Sequence, residues 1–190
     1  AISDLLRGTH RIEGRRVQTG GVVRFAKREE DRLLLELGDA GQRMTVEVMG
    51  GRGVDTSSLL DARVTVQGAL QLGLDRIAET FAPHLWVRSD EDLIVVNPAP
   101  EVAFVGSARA LFDDPRWVRD GHRVAIEGSV VRTQSDGTVL VDSEGMLLPV
   151  ELDSVRPQLP GERIRVVGWP TRQRWNVVLE RAAIARASNE

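Results

Sequence analysis

The stretch GHRVAIEGSVV, residues 121–131, is one of four near-copies of a single phrase, and its reading decides the fold. The others are GRRVQTGGVV at 14–23, DARVTVQGAL at 61–70 and GERIRVVGWP at 161–170. Each places Arg, then Val or Ile, five and four residues ahead of Gly, so the pairs are Arg16 with Gly21, Arg63 with Gly68, Arg123 with Gly128 and Arg163 with Gly168. In the third copy Val124, Ile126, Gly128 and Val130 share one phase of a period-two pattern. Arg123, Ala125, Glu127 and Ser129 share the other, as a half-buried strand requires. Glycine inside a strand costs backbone entropy and gives up a packing side chain, so a repeated glycine in the inward phase marks a bend or bulge.

The phrases also divide the chain. Arg16 and Arg123 are 107 residues apart and Arg63 and Arg163 are 100 apart, which is the signature of a duplicated two-phrase unit. Between the halves, Asn97, Pro98, Ala99 and Pro100 forbid helix and favour an extended link. Two domains are therefore expected, 1–97 and 98–190. Each half opens on a short amphipathic stretch, ISDLL at 2–6 and SARALF at 107–112, the second with Ser107 placed as an N-cap.

The text between the phrases supplies the remaining strands. RLLLELGDAGQRMTVEV at 32–48 and TVLVDSEGMLLPVEL at 138–152 read as hairpins turning at glycine, and HLWVRSDEDLIVV from His84 and WNVVLERAAIA from Trp175 read as closing strands. A turn of helix fits at 56–60, between the third and fourth strands of the first half. The expected fold class is all-β with short helices: two tandem five-stranded OB-like Greek-key barrels. An immunoglobulin-like sandwich, wanting about seven strands per half, is the structural alternative.

Composition narrows the function classes. The chain is 42% hydrophobic, with no apolar run near the ~18 residues of a membrane span. No charged-then-apolar leader follows Ala1, so a targeting segment is expected to be absent or already removed. There is no cysteine, hence no disulfide framework, thiolate nucleophile or Cys metal site. Basic residues number 25 against 28 acidic, and only Lys27 among them is lysine. His10, His84 and His122 are scattered without ligand spacing, so no metal site is expected. No G-x-S-x-G elbow occurs, so neither a catalytic residue nor a cofactor is expected. The acidic run at 89–92 lacks the alternating calcium-loop pattern and reads as a solvated turn inside an interrupted fifth strand. GGRG at 50–53 lacks the Lys and Ser/Thr of a phosphate loop and reads as a flexible exit from the third strand.

The segment from GHRVAIEGSVV through VDSEGMLLPVEL, followed by LPGERIRVVGWP and VVLERAAIAR, resembles a module from the extracytoplasmic region of bacterial membrane-bound sensor histidine kinases, where OB-like barrels occur in tandem. LLDARVTVQGAL with LWVRSDEDLIVVNPAP resembles the closing half of a preceding barrel. The likeness covers 59–186 well and the first fifty residues more loosely. One departure stands in the hairpin, where the family reads Asp-x-Thr-Gly-Gly. This chain keeps Asp142 and Gly145 but has Met146 at the second glycine. The resemblance implies a periplasmic, non-catalytic sensing role. Its partner would be a small ligand or a periplasmic protein, and membrane attachment would come through segments outside this chain; oligomer formation is compatible with it.

OB barrels bind across the face of strands two and three, between the loop joining strands one and two and the loop joining strands four and five. In the second half those loops fall at 133–137 and 171–174. The candidate ligand-binding residues are accordingly Arg132, Trp169, Arg172, Arg174 and Trp175, where guanidinium and indole together suit an anionic or sugar-like ligand or a partner's carboxylates. The structural reading of the same residues is a barrel cap, with arginines lying over the tryptophans. The first barrel's loop around 27–32 is the next candidate. Single-stranded nucleic acid is the rival ligand. It is disfavoured here by the acidic balance and by eight aromatics without a tyrosine.

Overall fold

The glycines of the repeated phrase each stand where a carbonyl of a neighbouring strand comes closer than a side chain allows. A Cβ on Gly128 would lie 2.4 Å from the Asp142 carbonyl oxygen, and one on Gly68 would lie 2.2 Å from that of Trp86. At Gly21 and Gly168 the intruding carbonyls belong to Gly38 and Glu180. In this computed structural model, which describes residues 1–75, 80–154, 158–173 and 176–185, the chain divides into two compact units, Ala1–Pro100 and Glu101–Glu190.

The first unit comprises α1 (Ile2–Ile12), β1 (Arg16–Glu29), β2 (Arg32–Asp39), β3 (Gln42–Met49), α2 (Thr56–Leu59), β4 (Arg63–Asp75), β5 (Thr80–Val87) and β6 (Leu93–Asn97). The long strand β1 serves two partners. Its first half pairs with β4, from Arg16 opposite Ala69 to Val22 opposite Arg63. Its second half pairs with β2, and Gly21 sits at the handover. A parallel β3–β5 pairing completes the ring β1-β2-β3-β5-β4-β1, which is the closed OB order. The β2–β3 hairpin turns on Ala40 and Gly41, both at positive φ (48° and 80°), the backbone that a two-residue turn between twisted strands demands. Inside the ring the alternate residues Leu33, Leu35 and Leu37 meet Val46, Val48 and Leu85. One end is plugged by Ile2, with Leu5 and Leu6 beside it at helical spacing. Asp55 caps α2 by accepting from the Ser57 amide at 3.0 Å, which turns Leu59 into the same core.

Two elements of this unit run longer than the sequence reading. The lead-in helix extends to Ile12, and the fifth strand starts at Thr80 rather than His84 because β4 and β5 remain paired as far as Asp75 opposite Thr80. After Val87 the chain leaves the sheet for a 3-10 turn, Asp90–Asp92, capped by the Ser89 hydroxyl. It then rejoins the same edge of β4 as β6, from Leu93 opposite Val66 to Asn97 opposite Arg63. Among the described residues β6 pairs with β4 alone, and Ile94, Val95 and Val96 are about half exposed.

The second unit repeats the plan with β7 (Ala103–Phe104), α3 (Ala108–Asp113), α4 (Arg116–Asp120), β8 (Val124–Thr133), β9 (Val139–Ser143), β10 (Met146–Leu152), β11 (Arg163–Gln173) and β12 (Asn176–Ala185). Its ring is β8-β9-β10-β12-β11-β8, again with one parallel pairing, β10 with β12. Both units are thus five-stranded OB-like barrels with short helices, and the seven-stranded sandwich drops out. Ser107 caps α3 by accepting from the Ala110 amide at 3.2 Å, and Leu111 fills the barrel end that Ile2 fills in the first unit. The β9–β10 turn places Glu144 and Gly145 at positive φ, and Asp142 accepts from the Gly145 amide at 2.8 Å. That bond accounts for the residues the hairpin keeps. The sequence reading lacked α4, whose bounds are set by the fixed φ of Pro115 at its start and by left-handed Gly121 at its end.

Gly128→Val is expected to destabilise the second unit by about 1–3 kcal/mol, because the obstacle to its Cβ is backbone rather than a movable side chain. The control is Ser129→Val, one residue along on the exposed phase, which should leave the melting temperature nearly unchanged. Thermal unfolding followed by circular dichroism measures both.

Candidate functional site

Of the residues singled out in the second unit, Arg132, Trp169 and Arg172 are described, and they make different contacts. Trp169 lies on β11 and is 3% exposed, with the Arg123 guanidinium carbon 5.5 Å above its ring. Arg172, three residues on, stacks instead over Phe112 of α3 at 5.3 Å and donates to the Phe112 carbonyl at 3.2 Å. Arg132 is exposed near the end of β8, opposite Leu140. Arg132 lies on the half of β8 that pairs with β9, whereas Trp169 and Arg172 lie on the half of β11 that pairs with β12. In the loop beside Arg132, the Thr138 amide donates to Asp136 at 2.9 Å and holds that carboxyl below its ordinary range. An anion at Arg132 would therefore meet a committed negative charge. Arg174 and Trp175 lie outside the described residues, as does the side chain of His10.

The outer face of strands two and three differs between the barrels. In the first unit Glu36, Thr45 and Glu47 point outward by alternation, yet all three are buried, and Glu47 pairs with Arg32 at 3.1 Å. In the second unit the face is more open, with Leu147 exposed beside Asp142 and Glu151, and Val131 exposed on neighbouring β8. Neither face offers the positive groove and stacking ring of a strand-binding surface. In the GGRG loop the Gly51 carbonyl, with that of Val54 just after it, accepts from the Arg28 guanidinium.

An open cleft of about 600 Å³ brings an indole and two guanidiniums together, beside the carboxylates of Glu91 and Asp92. It lies in the first unit along β1, β4 and the end of β5, lined by Arg16, Gln67, Ala69, Trp86, Arg88 and Asp92, among others. The strand register puts Arg16 opposite Ala69, and Ala69 opposite Trp86. The chain leaving the sheet after Val87 then walls the far side. Arg16 donates to Asp92 at 2.9 Å and to Gln67 at 3.1 Å, which fixes its guanidinium along the wall. Arg88 is exposed and forms no ion pair among the described residues. Trp86 is partly buried, its indole N–H donating to Nε2 of His84.

Superposing the two phrases sets the cleft against the matching place in the second barrel. Arg16 corresponds to Arg123, and Ala69, the residue after the phrase glycine, corresponds to Trp169. In the second barrel the indole of Trp169 occupies that position and Arg123 lies over it. In the first barrel a methyl group stands there, and the vacated volume is open to solvent. Reading along the sequence missed Arg16, Gln67, Trp86 and Arg88. Their signal was the Trp-Val-Arg triplet at 86–88, an indole and a guanidinium two residues apart where the strand ends before the insertion, together with the Ala-for-Trp difference between phrases.

Cleft and ring together define the class, a tandem OB-barrel protein with one arginine–indole groove. No protein-family model matches the chain, and no curated protein matches it. Among solved structures it is similar to the aspartyl-tRNA synthetase of Entamoeba histolytica, at 14% identity over 52% of this chain and 21% of that one, with TM-score 0.40. It is similar also to the asparaginyl-tRNA synthetase of Pyrococcus horikoshii, at 18% identity over 54% and 26%, with TM-score 0.38. A third similar structure, the p204 HINb domain, aligns at 13% identity over 88% and 95%, with TM-score 0.32. The chain spans only a fifth to a quarter of the two synthetases. At these identities the likeness concerns fold, and nothing further is carried across.

Truncating Trp169 to Ala should cost about 3–5 kcal/mol, the range for a buried large aromatic. Arg172→Ser, at an exposed position, should cost about 1 kcal/mol or less. Urea unfolding of the two variants checks whether this pair belongs to the barrel's packing in that proportion.

Proposed function

We propose that the chain is a non-catalytic binding module and that the first barrel's cleft takes a segment of single-stranded nucleic acid. The supporting observation is the placement of a partly exposed indole, Trp86, with Arg16 across Ala69 on one side and Arg88 in the bend just past the end of its strand. An aromatic face stacks on a base without regard to sequence, and guanidiniums pair with the flanking phosphates. Acidic residues slightly outnumber basic ones in each unit, so the contact is local and the binding weak rather than that of a general strand coat.

Titration with a labelled thymidine oligonucleotide of about twelve nucleotides tests this reading. Two phosphate contacts predict that log K falls against log salt with a slope of roughly −1.4, and Arg88→Ser should bring it to roughly −0.7. Ala69→Trp gives the sharper test. It should fill the cleft as Trp169 fills its counterpart, abolishing binding while leaving the fold intact by circular dichroism. Binding that is indifferent to salt, to Arg88→Ser and to Ala69→Trp would remove the reading.

One observation favours a second reading. The open face of β9–β10, with Leu147 exposed among carboxylates and Val131 exposed on neighbouring β8, repels phosphate and suits a protein surface. It fits the extracytoplasmic sensor region that the sequence resembles, acting in the periplasm on a protein partner. No helix among the described residues is long and apolar enough to cross a membrane, so attachment in that reading would lie elsewhere in the gene. A hydrophobic span and a kinase core encoded after Glu190 would support it, and a stop codon there would count against it.

A further inference from the structure

The proposed cleft depends on where Trp86 holds its ring, and the ring is tied to a buried histidine. His84 and Trp86 are two residues apart on β5 and so share its outer face, with ring centroids 6.2 Å apart and planes inclined at 56°. His84 is 6% exposed and its position is confined. Its ring lies against Gly73 of β4, where a Cβ would stand 2.6 Å from the imidazole Cε1, so the absence of a side chain at Gly73 is what admits the imidazole.

Hydrogen-bond chemistry fixes the state of this histidine. An indole N–H can only donate, so Nε2 of His84 must offer its lone pair, and the proton of the neutral ring sits on Nδ1. Nδ1 is buried with no hydrogen-bond partner among the described residues. If a proton adds to the Nε2 lone pair, a new N–H bond forms where the acceptor was. Two N–H groups then face each other and the indole loses its partner. The other groups on this outer face do not replace it. On β3, Thr45 stands opposite His84, with charged Arg43 and Glu47 one step to either side, and Glu47 is engaged by Arg32. Glu36 of β2 lies beyond Thr45, and β4 presents Ala69, Gln71 and Gly73.

We infer that His84 is a positioning residue that holds Trp86 in the cleft only while its imidazole is neutral, so the cleft loses grip on its ligand as His84 takes up a proton. The inference deepens the cleft reading and rests on it for its last step. Its first step is independent of any ligand, and the two are tested separately.

The first test follows the four indole N–H signals of the ¹⁵N-labelled protein by NMR from about pH 8 to about pH 5, the window in which histidines switch charge. Trp86→Phe identifies the Trp86 signal. That signal should move in one transition sharing its midpoint with the His84 imidazole, whose nitrogen shifts at pH 8 should be those of the Nδ1–H tautomer. In His84→Gln, where the amide oxygen accepts the same bond and does not titrate, the signal should stay in place at all pH values. A stationary Trp86 signal in the wild type, an Nε2–H tautomer at pH 8, or an unchanged transition in the Gln variant would each overturn the inference. Should the Gln variant fail to fold, the wild-type midpoint and tautomer decide it alone. The second test repeats the oligonucleotide titration at both ends of the range, where the wild type should weaken about tenfold more than His84→Gln. Equal weakening of the two proteins would overturn the coupling while leaving the cleft reading intact, whereas absence of binding at every pH would overturn the cleft reading and leave the NMR result to stand.

Discussion

Everything in these barrels depends on a carbonyl oxygen occupying the place of a missing Cβ. A ring of five strands closes only if its longest strands serve two partners in succession, which forces each to cross closely over a neighbour's backbone. At Gly21, Gly68, Gly128 and Gly168 the crossing strand's carbonyl fills the volume that any other residue would claim. The constraint is steric and local, yet it sets the handover between partners, the ring's closure and hence the positions of every loop. Two crossings per barrel, at equivalent points, account for a phrase written four times.

That constraint is also why so much of the fold was legible. A glycine fixed five residues after an arginine in period-two text is a backbone instruction, and the Asp142–Gly145 and Ala40–Gly41 turns are instructions of the same kind. Ser107 and its helix could be read because capping is a contact between near neighbours. What escaped depended on neighbours distant in sequence. The extension of β4 to Asp75 reflects pairing with a strand that starts at Thr80, and nothing in the alternation of either segment announces the other. The helix at Arg116–Asp120 is a single turn held between Pro115 and Gly121, too short for any periodicity to register.

The cleft was less legible than the fold for a related reason. Arginine and tryptophan were sought where they crowd together in sequence, at 169–175, and there packing absorbs Trp169 and Arg172 into the barrel wall and onto α3. The groove is made by a residue that is small, Ala69, next to residues drawn from three strands. Sequence displays what is present far more readily than what has been left out. Only the duplicated twin, with Trp169 at the matching place, shows that volume has been left open.

The strand β6 carries a liability in manufacture and handling. It displays Ile94, Val95 and Val96 to solvent along a sheet edge, a four-residue apolar run with Leu93, and such edges template the addition of further strands from other molecules. Directly after it come Asn97, Pro98, Ala99 and Pro100, and the two prolines have no N–H with which to extend a ladder. They act as gatekeepers that stop intermolecular sheet growth at the strand's end. A fragment cut before Pro98 keeps the adhesive edge and discards its guard, so solubility on dissection depends on two residues at the very end of the first unit.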